Sequence, residues 1–162
     1  MKRVVCAVLC MVLIIIYSCE KDDFCLINPV TSNLVIRLHD ASNEDDTKTL
    51  DSLFVWAEGR DTIYDGTTAI DSLAIPLNTL ASNTVYHLSQ MEDGKELLET
   101  FTIEYTIEDV FVSRSCGFRV VFNDVTITRN TTGNTNTWIS SFSPETLTTI
   151  DNQENAHIKI FH

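Results

Sequence analysis

From Phe101 to Ile107 every second residue is apolar. Phe101, Ile103, Tyr105 and Ile107 alternate with Thr102, Glu104, Thr106 and Glu108. Successive side chains of a strand point to opposite faces, so this pattern reads as a β-strand with one face buried and the other wet. At Glu108-Asp109 the phase changes, and Val110 and Val112 fall into step instead. Phe118, Val120 and Phe122 share one phase, which slips after Asn123-Asp124 to Val125 and Ile127. A one-residue slip turns every side chain to the other face, and chains absorb it with a bulge or a break. A hairpin turning about Ser115-Cys116 would put Asp109 roughly opposite Asn123, with both strands kinking together.

The rest of the chain follows the same short-strand rhythm. Leu34 to His39 alternates, with Leu34, Ile36 and Leu38 on one face. The stretch from Asp40 to Asp51 reads as a polar loop, whose Glu44, Asp45 and Asp46 lack the spacing of a calcium loop. Three segments ten residues apart open alike, at Asp51-Ser52-Leu53, Asp61-Thr62-Ile63 and Asp71-Ser72-Leu73. An acid followed by a hydroxyl closes turns by bonding the backbone, and β-formers come next. Pro76 cannot donate to a ladder, so its strand is an edge or ends there. Further strands are expected at 84–88, 118–127 and 156–161. Asn130 to Thr137 reads as a flexible loop, and Pro144 to Glu154 as a turn or short helix. Trp138, Ile139 and Phe142 are expected to return to the core. No long 3.6-residue periodicity follows residue 19. The expected fold is all-β: an antiparallel β-sandwich, immunoglobulin-like or related, of about seven to nine short strands. No Cys…Trp…Cys spacing supports an antibody-type domain.

The N-terminus carries a different signal. Lys2 and Arg3 precede an apolar run from Val4 to Tyr17, too short to span a bilayer and suited to a signal peptide. The run stops at Ser18-Cys19, which resembles the bacterial lipobox, with bulky Tyr17 where a small residue is common. The resemblance implies cleavage before Cys19 and acylation of its thiol and new amino group, which holds a protein stably on a membrane. The domains expected are a signal peptide over 1–18, a lipidated acidic tether over 19–28 and one sandwich over 29–162. Losing Lys2 and Arg3 makes the chain two charges more negative than the −12 of the whole sequence. Such acidity repels phosphate backbones, so nucleic acid is not an expected partner.

Of five cysteines, Cys6 and Cys10 leave with the signal and Cys19 takes lipid. Cys25 and Cys116 remain. In an oxidising compartment the pair reads as a disulfide, which would pin the tether to the middle of the sheet; the alternative is two separate buried thiols.

Chemistry is sparse. Ser113, Ser115 and Cys116 form one nucleophile cluster, but His39, His87, His157 and His162 are scattered and sit in no catalytic motif. No catalytic residue, cofactor or metal is therefore expected. Arg114 and Arg119 flank Cys116; they would either capture a carboxylate or sulfate on a ligand or pair with Asp109 or Asp124.

Three further resemblances bear on location. Lys21-Asp22-Asp23 resembles the Lys-plus-acid signal that sends Bacteroidota lipoproteins to the outer face of the outer membrane. The three triplets resemble the O-glycosylation acceptor motif of the same bacteria, which implies candidate glycans at Ser52, Thr62 and Ser72, although turn chemistry alone also produces them. Phe111-Val112-Ser113-Arg114-Ser115-Cys116-Gly117-Phe118-Arg119 with Val121 to Val125, together with Cys19 to Cys25, resembles an uncharacterised family of small Bacteroidota outer-membrane lipoproteins. That resemblance covers essentially the whole chain and implies no activity. The functional expectation is a non-catalytic binding or accessory module of the cell envelope. It would be anchored in the outer membrane by its lipid, with the cell surface favoured over the periplasm, and could partner an outer-membrane β-barrel or another envelope protein. A structural or adhesin component is the alternative, and an envelope-acting enzyme a more distant one.

Overall fold

The computed structural model describes Cys25, residues 31–130 and residues 137–162. The expected signal peptide, Cys19, the Lys21-Asp22-Asp23 signal and most of the Asn130–Thr137 loop lie outside these residues. Eleven strands follow in chain order: β1 (Leu34–Asp40), β2 (Asn43–Thr47), β3 (Leu53–Ala57), β4 (Thr62–Asp65), β5 (Ser72–Ile75), β6 (Asn83–Glu92), β7 (Lys95–Ser113), β8 (Gly117–Asn130), β9 (Ser141–Ser143), β10 (Thr146–Ile150) and β11 (Ile158–Phe161). They form two sheets packed as a β-sandwich, with no helix among the described residues. One sheet runs β2-β1-β11-β9, with β5 also on β1; the other runs β10-β8-β7-β6-β3-β4. All pairings are antiparallel except β1 with β11.

Alternation builds the core. Leu34, Ile36 and Leu38 of β1 face Leu53 and Val55 of β3, Tyr86 and Leu88 of β6, and Phe101, Ile103 and Tyr105 of β7 in one buried cluster. Burying each such side chain stabilises by about 1.5–3 kcal/mol. Each of the three acid-hydroxyl triplets opens a strand, as turn chemistry requires: β3 starts at Leu53, β4 at Thr62 and β5 at Ser72. β5 stops at Ile75, directly before Pro76. Trp138 and Ile139 are buried, and Phe142 packs against the core.

Four expectations change. The count is eleven strands rather than seven to nine. β2 lies in the stretch read as a polar loop; all five of its residues are exposed, and it pairs only through the backbone at His39↔Thr47 and Asp40↔Asn43. The stretch after Pro144 forms β10 rather than a helix, because Leu147 and Ile150 reach the core while the strand pairs with β8.

The fourth change concerns the slip in the long hairpin. Glu104 pairs with Thr126 and Thr106 with Asn123, so one residue of β7, Tyr105, opposes two of β8, Asp124 and Val125. The bulge sits on β8, where Asp124 takes φ 51°. It lets Val125 and Phe122, of opposite phase, both point inward and be fully buried. β7 carries no answering kink at Glu108-Asp109. Its pairing runs regularly from Thr106↔Asn123 to Phe111↔Phe118, so Asp109 lies opposite Val120 and not Asn123. The phase change on β7 has another cause. β6 begins at Asn83, opposite Glu104, and on the other side β10 ends its pairing at Phe122, opposite Ile107, so beyond Ile107 and Phe122 the two strands project past their sheet neighbours.

Candidate functional site

The projecting hairpin ends in a turn over Arg114-Ser115-Cys116, closed by Gly117 at φ 72°. The Ser113 hydroxyl accepts a hydrogen bond from the Cys116 amide at 3.0 Å and lies 3.2 Å from the Ser115 hydroxyl. Cys116 is joined to Cys25 by a disulfide with Cα atoms 4.9 Å apart. The nucleophile cluster is thus a turn: its serines shape the backbone and its sulfur is already bonded. The disulfide holds the chain to the hairpin's tip rather than to the middle of the sheet, because the strands run on past β6 before turning.

Behind the turn the two strands carry a cross-strand aromatic pair. Phe111 lies opposite Phe118, ring centroids 5.4 Å apart and inclined at 67°. They share the face that is buried further back, yet Phe111 is 58 % and Phe118 63 % exposed. Ile107, opposite Phe122 on that face, is 37 % exposed. Edge-to-face packing suits the ring quadrupoles but leaves most of the apolar area in water.

Arg114 and Arg119 are not brought together with Asp109 or Asp124. Arg119 faces away from Asp109: it lies opposite Val110, while Asp109 lies opposite Val120 on the other face. Its guanidinium donates to the backbone carbonyl of Asp151. The Asp124 carboxylate is 3.4 Å from the Thr106 hydroxyl, taken up at the bulge. Among the described residues neither arginine forms an ion pair. From Val110 to Asn123 the sequence holds these two cations and no carboxylate, in a chain of 23 acidic residues.

The histidines stay apart. His39 is buried against Phe161, His87 stacks on Trp56, and His162 meets Trp138 edge-on. His157 accepts the Val35 amide at Nδ1, 2.9 Å away, and burial lowers its pKa from the ordinary value. Among the described residues no group of three His, Cys, Asp or Glu side chains could hold a metal ion. An open cleft of about 620 Å³ lies where β6 begins, lined by Glu58, Arg60, Asp61, Asn78, Leu80 and Thr84 among others. Beside it, the Tyr105 hydroxyl donates to the Asn78 carbonyl at 2.8 Å and lies 2.6 Å from the Thr84 hydroxyl. Burial raises the Tyr105 pKa, so this phenol is a structural strut.

The candidate glycan acceptors sit at three strand starts. Thr62 is exposed, Ser52 and Ser72 are half-buried, and Asp71 pairs with Arg37 at 3.5 Å.

A family model matches residues 52–162, the greater part of the chain. The chain belongs to DUF6452, a family of unknown function. The matched stretch includes the whole hairpin and Cys116, while Cys25 precedes it. Neither the curated proteins nor the solved structures gave a match.

Proposed function

We propose that this DUF6452 chain is a lipid-anchored, extracytoplasmic lipoprotein of the Bacteroidota outer membrane, acting as a non-catalytic binding or accessory module. The disulfide carries the reading. A bond between Cys25 and Cys116 fits an oxidising compartment. It also leaves Cys19, at the end of the apolar run, as the cysteine matching the lipid-acceptor pattern. The described side chains converge on no nucleophile–base pair, so the reading invokes recognition rather than turnover.

The test is the intact mass of the protein extracted from the native membrane. The expected N-terminus is Cys19 carrying a diacylglyceryl thioether and an amide-linked acyl chain, and Cys19→Ala releases the protein from the membrane fraction. An unacylated mature chain that stays soluble refutes the proposal. A structural or adhesin role is the second reading. It is favoured by the edge of β7 beyond Tyr105, whose amide bonds the Ser82 carbonyl and after which no β6 residue lies beside the strand.

A further inference from the structure

The hairpin tip is apolar and cationic in a protein that is otherwise strongly acidic, and it is bonded to the chain close to the proposed anchor. We infer that the tip, through Phe111, Phe118, Arg114 and Arg119, rests in the interface of a phospholipid bilayer. The inference builds on the lipoprotein reading above and adds an orientation to it.

Length sets the first constraint. Six peptide steps lead from Cys19 to Cys25. Even fully extended they reach about 20 Å. The disulfide fixes Cys25 to Cys116 in the tip's turn, with Cα atoms 4.9 Å apart. A lipid on Cys19 therefore keeps the turn within about 25 Å of the headgroups, the tether's reach plus the disulfide's span, whatever path the tether takes.

Chemistry sets the second. Aromatic rings favour the headgroup level of a bilayer, where an apolar body and a polar surround are both satisfied. Phe111 and Phe118 are the most exposed aromatic pair on the described surface, and they continue the apolar face of β7 and β8 beyond the core. Arg114 bonds to nothing among the described residues, and Arg119 gives one N–H to the Asp151 carbonyl and keeps others to offer. Guanidinium groups take phosphate oxygens in charge-assisted, often bidentate bonds. The carboxylates of β7 sit further from the turn, at Glu108 and Asp109. Asp109 shares the face of the two rings, one cross-strand pair behind Val110 and Arg119, so the cationic, carboxylate-free part of the hairpin is its end from Val110 to Phe122. Anchored by lipid alone, the domain would tumble on its tether; with the tip seated, it stands in one orientation.

The test uses full-length lipidated protein in phosphatidylethanolamine–phosphatidylglycerol vesicles, with Phe118→Trp as the reporter. Native Trp56 and Trp138 lie in the sandwich and provide the background. The introduced indole is expected to emit at shorter wavelength than in detergent-free buffer and to be quenched by lipids brominated near the headgroup. Adding Arg114→Glu and Arg119→Glu should reduce that quenching. Flotation with the vesicles reads the anchor separately. A protein that floats but whose introduced indole is unquenched overturns this inference and leaves the lipoprotein reading standing. A protein that does not float overturns the anchor itself. If a photo-crosslinker at position 118 labels a membrane protein in cells and no lipid, the tip docks a protein and the inference fails.

Discussion

Arg129→Met should be among the most damaging single substitutions in the sandwich. Glu99 on β7 is 1 % exposed at its side chain, and its only ionic partner among the described residues is Arg129 of β8. The contact is a fork: Arg129 Nε donates to Oε2 at 2.8 Å and a terminal nitrogen to Oε1 at 2.7 Å. Removing the cation leaves a buried carboxylate with no counter-charge. Breaking such a pair from one side costs about 3–5 kcal/mol, because the penalty is the desolvated charge left behind rather than the strength of the pair. For a domain of this size each kcal/mol moves the melting temperature by about 3–5 °C, so a fall of about 10–20 °C is expected. The assay is thermal and urea unfolding of the oxidised protein at pH 7, for wild type, Arg129→Met, Glu99→Leu and the double variant. The double variant should recover most of the loss, since a well-packed apolar pair often replaces a buried ion pair without cost. A single variant within about 1 kcal/mol of wild type, or a double variant equal to the sum of the singles, would refute the reasoning.

Two further outcomes follow from the same coordinates. Replacing Cys25 and Cys116 by serine opens a loop closed across 91 residues, and should cost about 2–4 kcal/mol in urea unfolding while leaving the sandwich's far-ultraviolet signal intact; a loss under about 1 kcal/mol would mean the segment is held by other contacts. Burial lowers the folded pKa of His157, and its neutral Nδ1 must accept the Val35 amide. The unfolded chain thus takes up the proton first, near pH 6.5. Stability is whole above that value and is lost as the pH falls through the folded pKa. His157→Asn should flatten the dependence between pH 7 and 5, measured by urea midpoints, and an unchanged slope would assign it to other groups.

How much was legible in the sequence depended on whether a residue's pattern was read by the core. β1, β7 and β8 were visible because their inward residues alternate, β3 because an acid-hydroxyl turn and β-formers announce it, and the slip at Asn123-Asp124 because Phe122 and Val125 are both buried around a bulge. β2 was not, because its five exposed residues bond through the backbone, and backbone bonding has no side-chain signature. The slip at Glu108-Asp109 was misread for the opposite reason. It looks like a change of face, but β7 there has left the sheet body, and alternation no longer reports inside against outside. The disulfide came from counting cysteines, but its place at a tip needed the length of β7 relative to β6. Glu99 with Arg129 was missed. A carboxylate in phase with Phe101 and Ile103 was the available clue, since a charge on a buried face implies a partner.

That same phase argument bears on the tip. If β7 and β8 were long only to support the turn, their residues beyond Ile107 would be expected to turn polar on both faces, as exposed hairpins do. Asp109 does so, but Phe111 and Phe118 keep the core-facing phase at 58 and 63 % exposure. Two phenylalanines in water work against solubility, and the acidic body compensates for that without explaining it. Folding does not explain them either, because the pair lies beyond the buried cluster that the two sheets share. The remaining physical reason is contact with an apolar surface, and under the proposed lipid anchor at Cys19 the disulfide brings the turn near the bilayer. Moving the clamp should therefore separate the two ideas. With Cys25 and Cys116 both replaced by serine, the lipid still holds the protein on vesicles, but nothing ties the turn to the anchor. Quenching of an indole introduced at position 118 should then fall, while flotation is unchanged. If quenching persists undiminished, the tip finds the bilayer through its own residues, and the clamp serves stability alone.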